Sequence, residues 1–117
     1  AYASVEEIGE QRDRRLGLVA NNLTLSEQQA ATLERDRQRI SAQIGNPGAS
    51  VGDVERYRRE VADLDRRIAR ERAFQDRQRV LMAEIRSQAD ADVRDFQRLV
   101  VPPDAAVREG GGGPDVR

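Results

Sequence analysis

Apolar side chains along this 117-residue chain return at gaps of three and four, the rhythm that gathers positions onto one face of an α-helix. From Asp53 to Val100 no glycine or proline interrupts that rhythm, and the stretch predicts one long helix. Val54, Tyr57, Val61, Leu64 and Ile68 hold the stripe in its first half, and Phe74, Leu81, Ile85, Ala89, Phe96 and Leu99 carry it onward. Ile68 to Phe74 is a step of six residues, so the two halves read as out of phase. A slip of that kind locally changes supercoiling.

The chain before it predicts a second helical arm. Ser4 with Glu7 fits a capping box, in which the hydroxyl takes a free backbone N–H and the glutamate reaches back toward the cap. Val5 and Ile8, then Leu16, Val19 and Leu23, follow at helical spacing. In Asn21-Asn22-Leu23-Thr24-Leu25-Ser26-Glu27, asparagine is a tolerated helix-ending residue and Thr24 with Glu27 makes a second capping box. A kink or break is therefore expected near residues 21–24. The alternative is an unbroken helix from Ser4 to Ile44, because the series Leu16, Val19, Leu23, Ser26, Ala30, Leu33, Arg37, Ile40, Ile44 never loses phase. That continuity favours two nearly collinear segments over a sharp reversal.

Asn46-Pro47-Gly48-Ala49 suits a type II turn, since proline fixes φ and glycine supplies a positive φ at the next position. So short a connection makes the two arms antiparallel neighbours, with Ser50 or Asp53 capping the long helix. Folding the chain at that point sets Ile40 against Tyr57, Leu33 against Leu64, Ala30 against Ile68 and Ser26 near Glu71. The doubtful stretch of the first arm then falls at the height of the phase slip, where a bend or a polar layer is expected. The long helix, at roughly 1.5 Å per residue, overhangs the shorter arm and leaves Val93, Phe96, Leu99 and Val100 with little to cover them. Past Val101, Pro102 and Pro103 end the helix, Ala105 to Glu109 have room for one helical turn, and Gly110 to Gly113 form a flexible linker by composition.

Composition narrows the chemistry. Hydrophobic residues make 38% and charged residues 35% of the chain, with aromatics at 3%, so the apolar side chains must work along a narrow seam. Without His or Cys no Ser-His-Asp or Cys-His nucleophile and no His- or Cys-anchored metal site can be built. All twenty basic residues are arginine, which removes the P-loop lysine and the Schiff base and points to a GC-rich, bacterial or phage, source. Asp90, Asp92 and Asp95 raise a cation site, but 90 and 92 point to different sides of a helix and solvated surface is the better reading. Arg56, Arg58, Arg59 and Arg66, Arg67, Arg70, Arg72 raise phosphate binding. They interleave with Asp53, Glu55, Glu60, Asp63, Asp65, Glu71 and Asp76, and Glu55 to Arg59 and Asp63 to Arg67 have the favourable acid-first order. With a net charge of -1, self-neutralised helix flanks fit better than a nucleic-acid surface. Asn22-Leu23-Thr24 matches a glycosylation sequon and is read as chance.

The expected fold is all-α: an antiparallel two-helix coiled-coil hairpin over residues 1–100 (first arm 4–44, turn 45–52, long helix 53–100), followed by a Pro/Gly-rich tail over 101–117. The expected function is a non-catalytic protein interaction module or spacer, needing no cofactor or metal and having no membrane span. It docks a protein partner or a copy of itself through Val93, Phe96, Leu99 and Val100. A nucleic-acid-associated helical protein acting through its arginine flanks is the alternative. In architecture such a hairpin is similar to the stalk and escort proteins of flagellar and type III secretion systems, a likeness of shape with no shared motif. Ala1-Tyr2-Ala3 has the small-x-small look of a signal-peptidase site, yet the bacterial cytoplasm is favoured over export as the location.

Overall fold

The first helix starts where its cap chemistry puts it. The Glu7 N–H donates to the Ser4 hydroxyl at 3.1 Å, and the Glu7 carboxylate accepts from the N–H of Ala3, one residue ahead of the cap, at 2.7 Å. From there α1 runs Val5–Ile44 and α2 runs Val51–Val100. The computed structural model describes residues 2–100, without the Val100 side chain. The expectations for residues 101–117 lie outside the described residues. The two helices pack against each other as a helical hairpin, with no strand among the described residues.

Of the kink or break expected at 21–24, the break is not there: α1 is continuous through Asn21, Asn22 and Thr24. Their weak helix propensity costs at most about 0.7 kcal/mol each. Ending the helix there would disturb the seam on both sides of it, where Val19 and Ala30 are buried and Leu23 is half-buried. A buried aliphatic side chain contributes roughly 1.5–3 kcal/mol, so packing outweighs the local preference. Thr24 caps nothing here, and Glu27 reaches across to Arg79 instead, at 3.6 Å.

At the turn, the Ala49 N–H donates to the Asn46 carbonyl at 3.0 Å, closing a β-turn with Pro47 at its second position as expected. Gly48 does not take the left-handed backbone that a type II turn demands. Its N–H instead donates to the Asn46 side-chain oxygen at 3.1 Å, an Asx turn that holds the bend without positive φ. Ser50 is the cap of α2: its hydroxyl accepts the Asp53 N–H at 3.0 Å and its carbonyl the Val54 N–H at 2.9 Å. The long helix thus begins at Val51 rather than Asp53.

The phase slip in α2 also disappears. Val54, Tyr57, Val61, Leu64, Ile68, Glu71, Gln75, Gln78, Met82, Ile85, Ala89, Asp92 and Phe96 are all buried or half-buried, in an unbroken alternation of three and four. Gln75 rather than Phe74 occupies the seam, only 8% exposed, while Phe74 and Leu81 sit one position to the side and are half-buried. The heptad set by Leu64 and Ile68 reaches Ile85 and Ala89 without a slip only if polar residues fill the intervening seam positions.

Contacts divide the hairpin into two compact units. In Leu18–Leu81, Leu33, Leu64 and Ile68 form the buried cluster with Ile40 packed on it. In Ala1–Gly17 with Met82–Arg117, Ile8, Ile85 and Ala89 are buried, Ile8 at 2% exposure. Leu16 is half-buried there, and the Arg12 side chain donates to Asp13 at 3.0 Å.

Candidate functional site

Three features of the hairpin qualify as sites: its polar layer, its charged flanks and the apolar end of α2. The polar layer is where Ser26 was expected to meet Glu71. The Ser26 hydroxyl donates to the Glu71 carboxylate at 2.7 Å and accepts the Gln75 side-chain N–H at 3.2 Å. Ser26 is 4% exposed, so both capacities of its hydroxyl are met inside the seam, as burial of a polar group requires. Such a layer ties α1 to one height on α2, because a slip by a heptad would strand these groups among aliphatic side chains.

The two flanks of the Leu18–Leu81 unit differ. One is closed across the seam by ion pairs: Arg37 with Asp65, Arg72 with Glu34, and Arg79 with Glu27. The Arg37 guanidinium donates to Asp65 and draws that carboxyl below its ordinary pKa, while the arginine is pushed up by the same bond. Both side chains are substantially solvent-exposed, so the pair adds little to stability and more to the choice of neighbours. On the other flank Asn22, Leu25, Ser26 and Gln29 of α1 line a groove with Arg70, Glu71 and Phe74 of α2. No ion pair crosses it at that height among the described residues.

Arginines singled out for phosphate binding are engaged with neighbours along α2: Arg56 with Asp53 at 3.4 Å, Arg59 with Glu55 at 3.6 Å and Arg66 with Asp63 at 3.5 Å. Asp63 therefore takes Arg66, one turn position earlier than the expected Arg67. Arg72 pairs across the seam with Glu34, and no ion pair is found for Arg58, Arg67 or Arg70 among the described residues. No cluster of acidic residues able to hold a metal ion occurs among the described residues, and no described helix is long and apolar enough to cross a membrane.

The four positions expected to stand bare at the end of α2 separate. Leu99 is 83% exposed. Val93 and Phe96 are half-buried, which is more cover than the overhang argument gave them. The Val100 side chain lies outside the described residues. The stripe running Ile85, Ala89, Phe96, Leu99 thus passes from full burial to exposure within its last turns. Of the seam residues expected, Val19, Leu33, Leu64, Ile68 and Ile85 are buried; Leu16, Leu23, Ile40, Tyr57 and Val61 are half-buried. What apolar counting missed is the polar part of the seam, Gln75 above all, which only the heptad phase betrays.

No protein-family model, curated protein or solved structure matches the chain.

Proposed function

We propose that the chain is a non-catalytic helical interaction module or spacer, and that it docks a partner through the apolar C-terminal end of α2, at Val93, Phe96, Leu99 and Val100. The observation that carries this reading is Leu99, 83% exposed at the end of the stripe that buries Ile85 and Ala89. Leu99 continues a seam in which the apolar side chains Ile85 and Ala89 are buried, and an uncovered apolar side chain there invites the same contact from another chain. The residue inventory narrows the catalysis open to it: without His, Cys or Lys no Ser-His or Cys-His nucleophile and no Schiff-base lysine can be assembled.

The test compares proteins that co-purify with the full chain and with Leu99→Glu. This substitution lies on exposed surface and leaves the seam intact. A protein held by the wild type and released by L99E supports the reading; equal capture by both refutes it. Truncation after Ala91 is expected to act in the same direction. Retention on heparin with a steep loss of affinity as salt rises would overturn the interaction module in favour of phosphate binding through the arginine flanks.

A further inference from the structure

Leu18 and Leu25 are 67% and 62% exposed, an unusual state for two leucines one heptad apart on the same face of one helix. Heptad spacing returns a residue to nearly the same side, so both stand on the flank that, among the described residues, no ion pair crosses at the height of Leu25. Leu25 lines the groove there with Phe74. Leu81, half-buried, follows Phe74 by one heptad. The four side chains therefore form two apolar rungs on one flank of the Leu18–Leu81 unit.

Their heights are set by the polar layer. Ser26 bonds both Glu71 and Gln75 and so stands level with the point midway between them. One residue back, Leu25 is level with Phe74; one heptad further back, Leu18 is level with Leu81. Each rung thus pairs one residue of α1 with one of α2 at equal height. A two-fold axis parallel to the helices exchanges α1 and α2 between copies while keeping height. It lays Leu25 of one copy on Phe74 of the other, and Leu18 on Leu81.

We infer that this flank is the face by which two copies of the chain associate, into an antiparallel four-helix bundle with the Ser26–Gln75 layer inside it. Charge is largely compatible with that pairing. At the same register Arg39 is level with Glu60, which share a groove further along this flank, so each meets the other's opposite charge across the axis. Gln29 is level with Arg70 and Asn22 with Arg77, pairs without repulsion that an amide oxygen can satisfy. Asp36 with Asp63 is the one opposed pair of like charge. A two-fold axis perpendicular to the helices would instead set Arg77 of one copy against Arg77 of the other. This association is independent of the docking end at Leu99.

Sedimentation of the full chain and of Leu18→Arg/Leu25→Arg tests it. Both leucines are exposed in the single hairpin, so circular dichroism is expected to show the variant as helical as the wild type. The wild type is expected to sediment at twice the monomer mass and the variant to dissociate with a Kd raised about tenfold or more, a loss of about 1.4 kcal/mol or more. L99E is expected to leave the dimer unchanged, which separates this face from the docking end. Because the chain has no cysteine, the axis can be read directly: chains carrying Asn22→Cys mixed with chains carrying Arg77→Cys are expected to form the mixed disulfide in preference to either homodimer. A wild type that stays monomeric, a dimer indifferent to L18R/L25R, or a dominant disulfide homodimer of either N22C or R77C would each overturn the inference.

Discussion

Ser26→Ala tests whether the polar layer is a satisfied unit or incidental. Removing the hydroxyl takes away the acceptor of the Gln75 side-chain N–H and the donor to Glu71. Glu71 is half-buried and its carboxylate regains water, but Gln75 is 8% exposed and its amide is stranded. A buried donor left without a partner costs about 1–3 kcal/mol, and a domain of this size loses roughly 4–8 °C in Tm per kcal/mol. In Ser26→Ala/Gln75→Leu nothing of that pair is left to strand. A leucine then enters a seam position where burial contributes roughly 1.5–3 kcal/mol. The double variant is therefore expected to melt well above S26A and near or above the wild type. Gln75→Leu alone keeps the bond from Ser26 to Glu71 and is expected to be neutral or stabilising. Far-UV circular dichroism melts of the four proteins, at one protein concentration because association shifts apparent stability, complete the cycle. If S26A/Q75L is no more stable than S26A, the hydrogen bonding described for this layer is not what holds Ser26 in the seam.

Asp65→Asn reports on the ion-paired flank. The folded Asp65 carboxyl lies below its ordinary value of 3.8 because Arg37 hydrogen-bonds it, so the pair's stabilisation is present above that value and is lost as pH falls through the depressed one. The Tm difference between wild type and D65N is expected to shrink as pH is lowered below about 4, and added salt is expected to reduce it at neutral pH; a difference that grows in acid would contradict the assignment. Asn21→Ala, on the exposed face of α1, is expected to raise stability by about 0.5 kcal/mol, since alanine is the better helix former in a helix interior. A loss on melting would instead mean that Asn21 ends a helix, and that α1 is not continuous.

Much of the fold was legible because it is written in local and periodic terms. The caps at Ser4 and Ser50, the bend at Pro47 and the apolar stripes all follow from residue chemistry acting over a few positions, and the pairing of Ser26 with Glu71 follows from those once the chain doubles back. Three readings failed for one reason. Asn21-Asn22 with Thr24 read as a break in the helix, Phe74 as a seam residue and Gly48 as a left-handed hinge, each on local preference. Neighbouring contacts overruled all three: the buried Val19 and Ala30 carry the helix through, the heptad phase hands the seam to Gln75, and the Asn46 side chain supplies the bond that spares Gly48 a positive φ.

The candidate surfaces divide in the same way. That an apolar stripe reaches Leu99 is a statement about spacing, and the sequence alone determined it. That Val93 and Phe96 are half-covered while Leu99 is bare, and that Leu25 shares a flank and a height with Phe74 and Leu18 with Leu81, depended on how far α1 extends beside α2 and on which rotation the buried layer imposes. Periodicity fixes a residue's angle about its own helix axis; only packing fixes one helix's height and rotation against another, because that choice is made by side chains distant in sequence acting together.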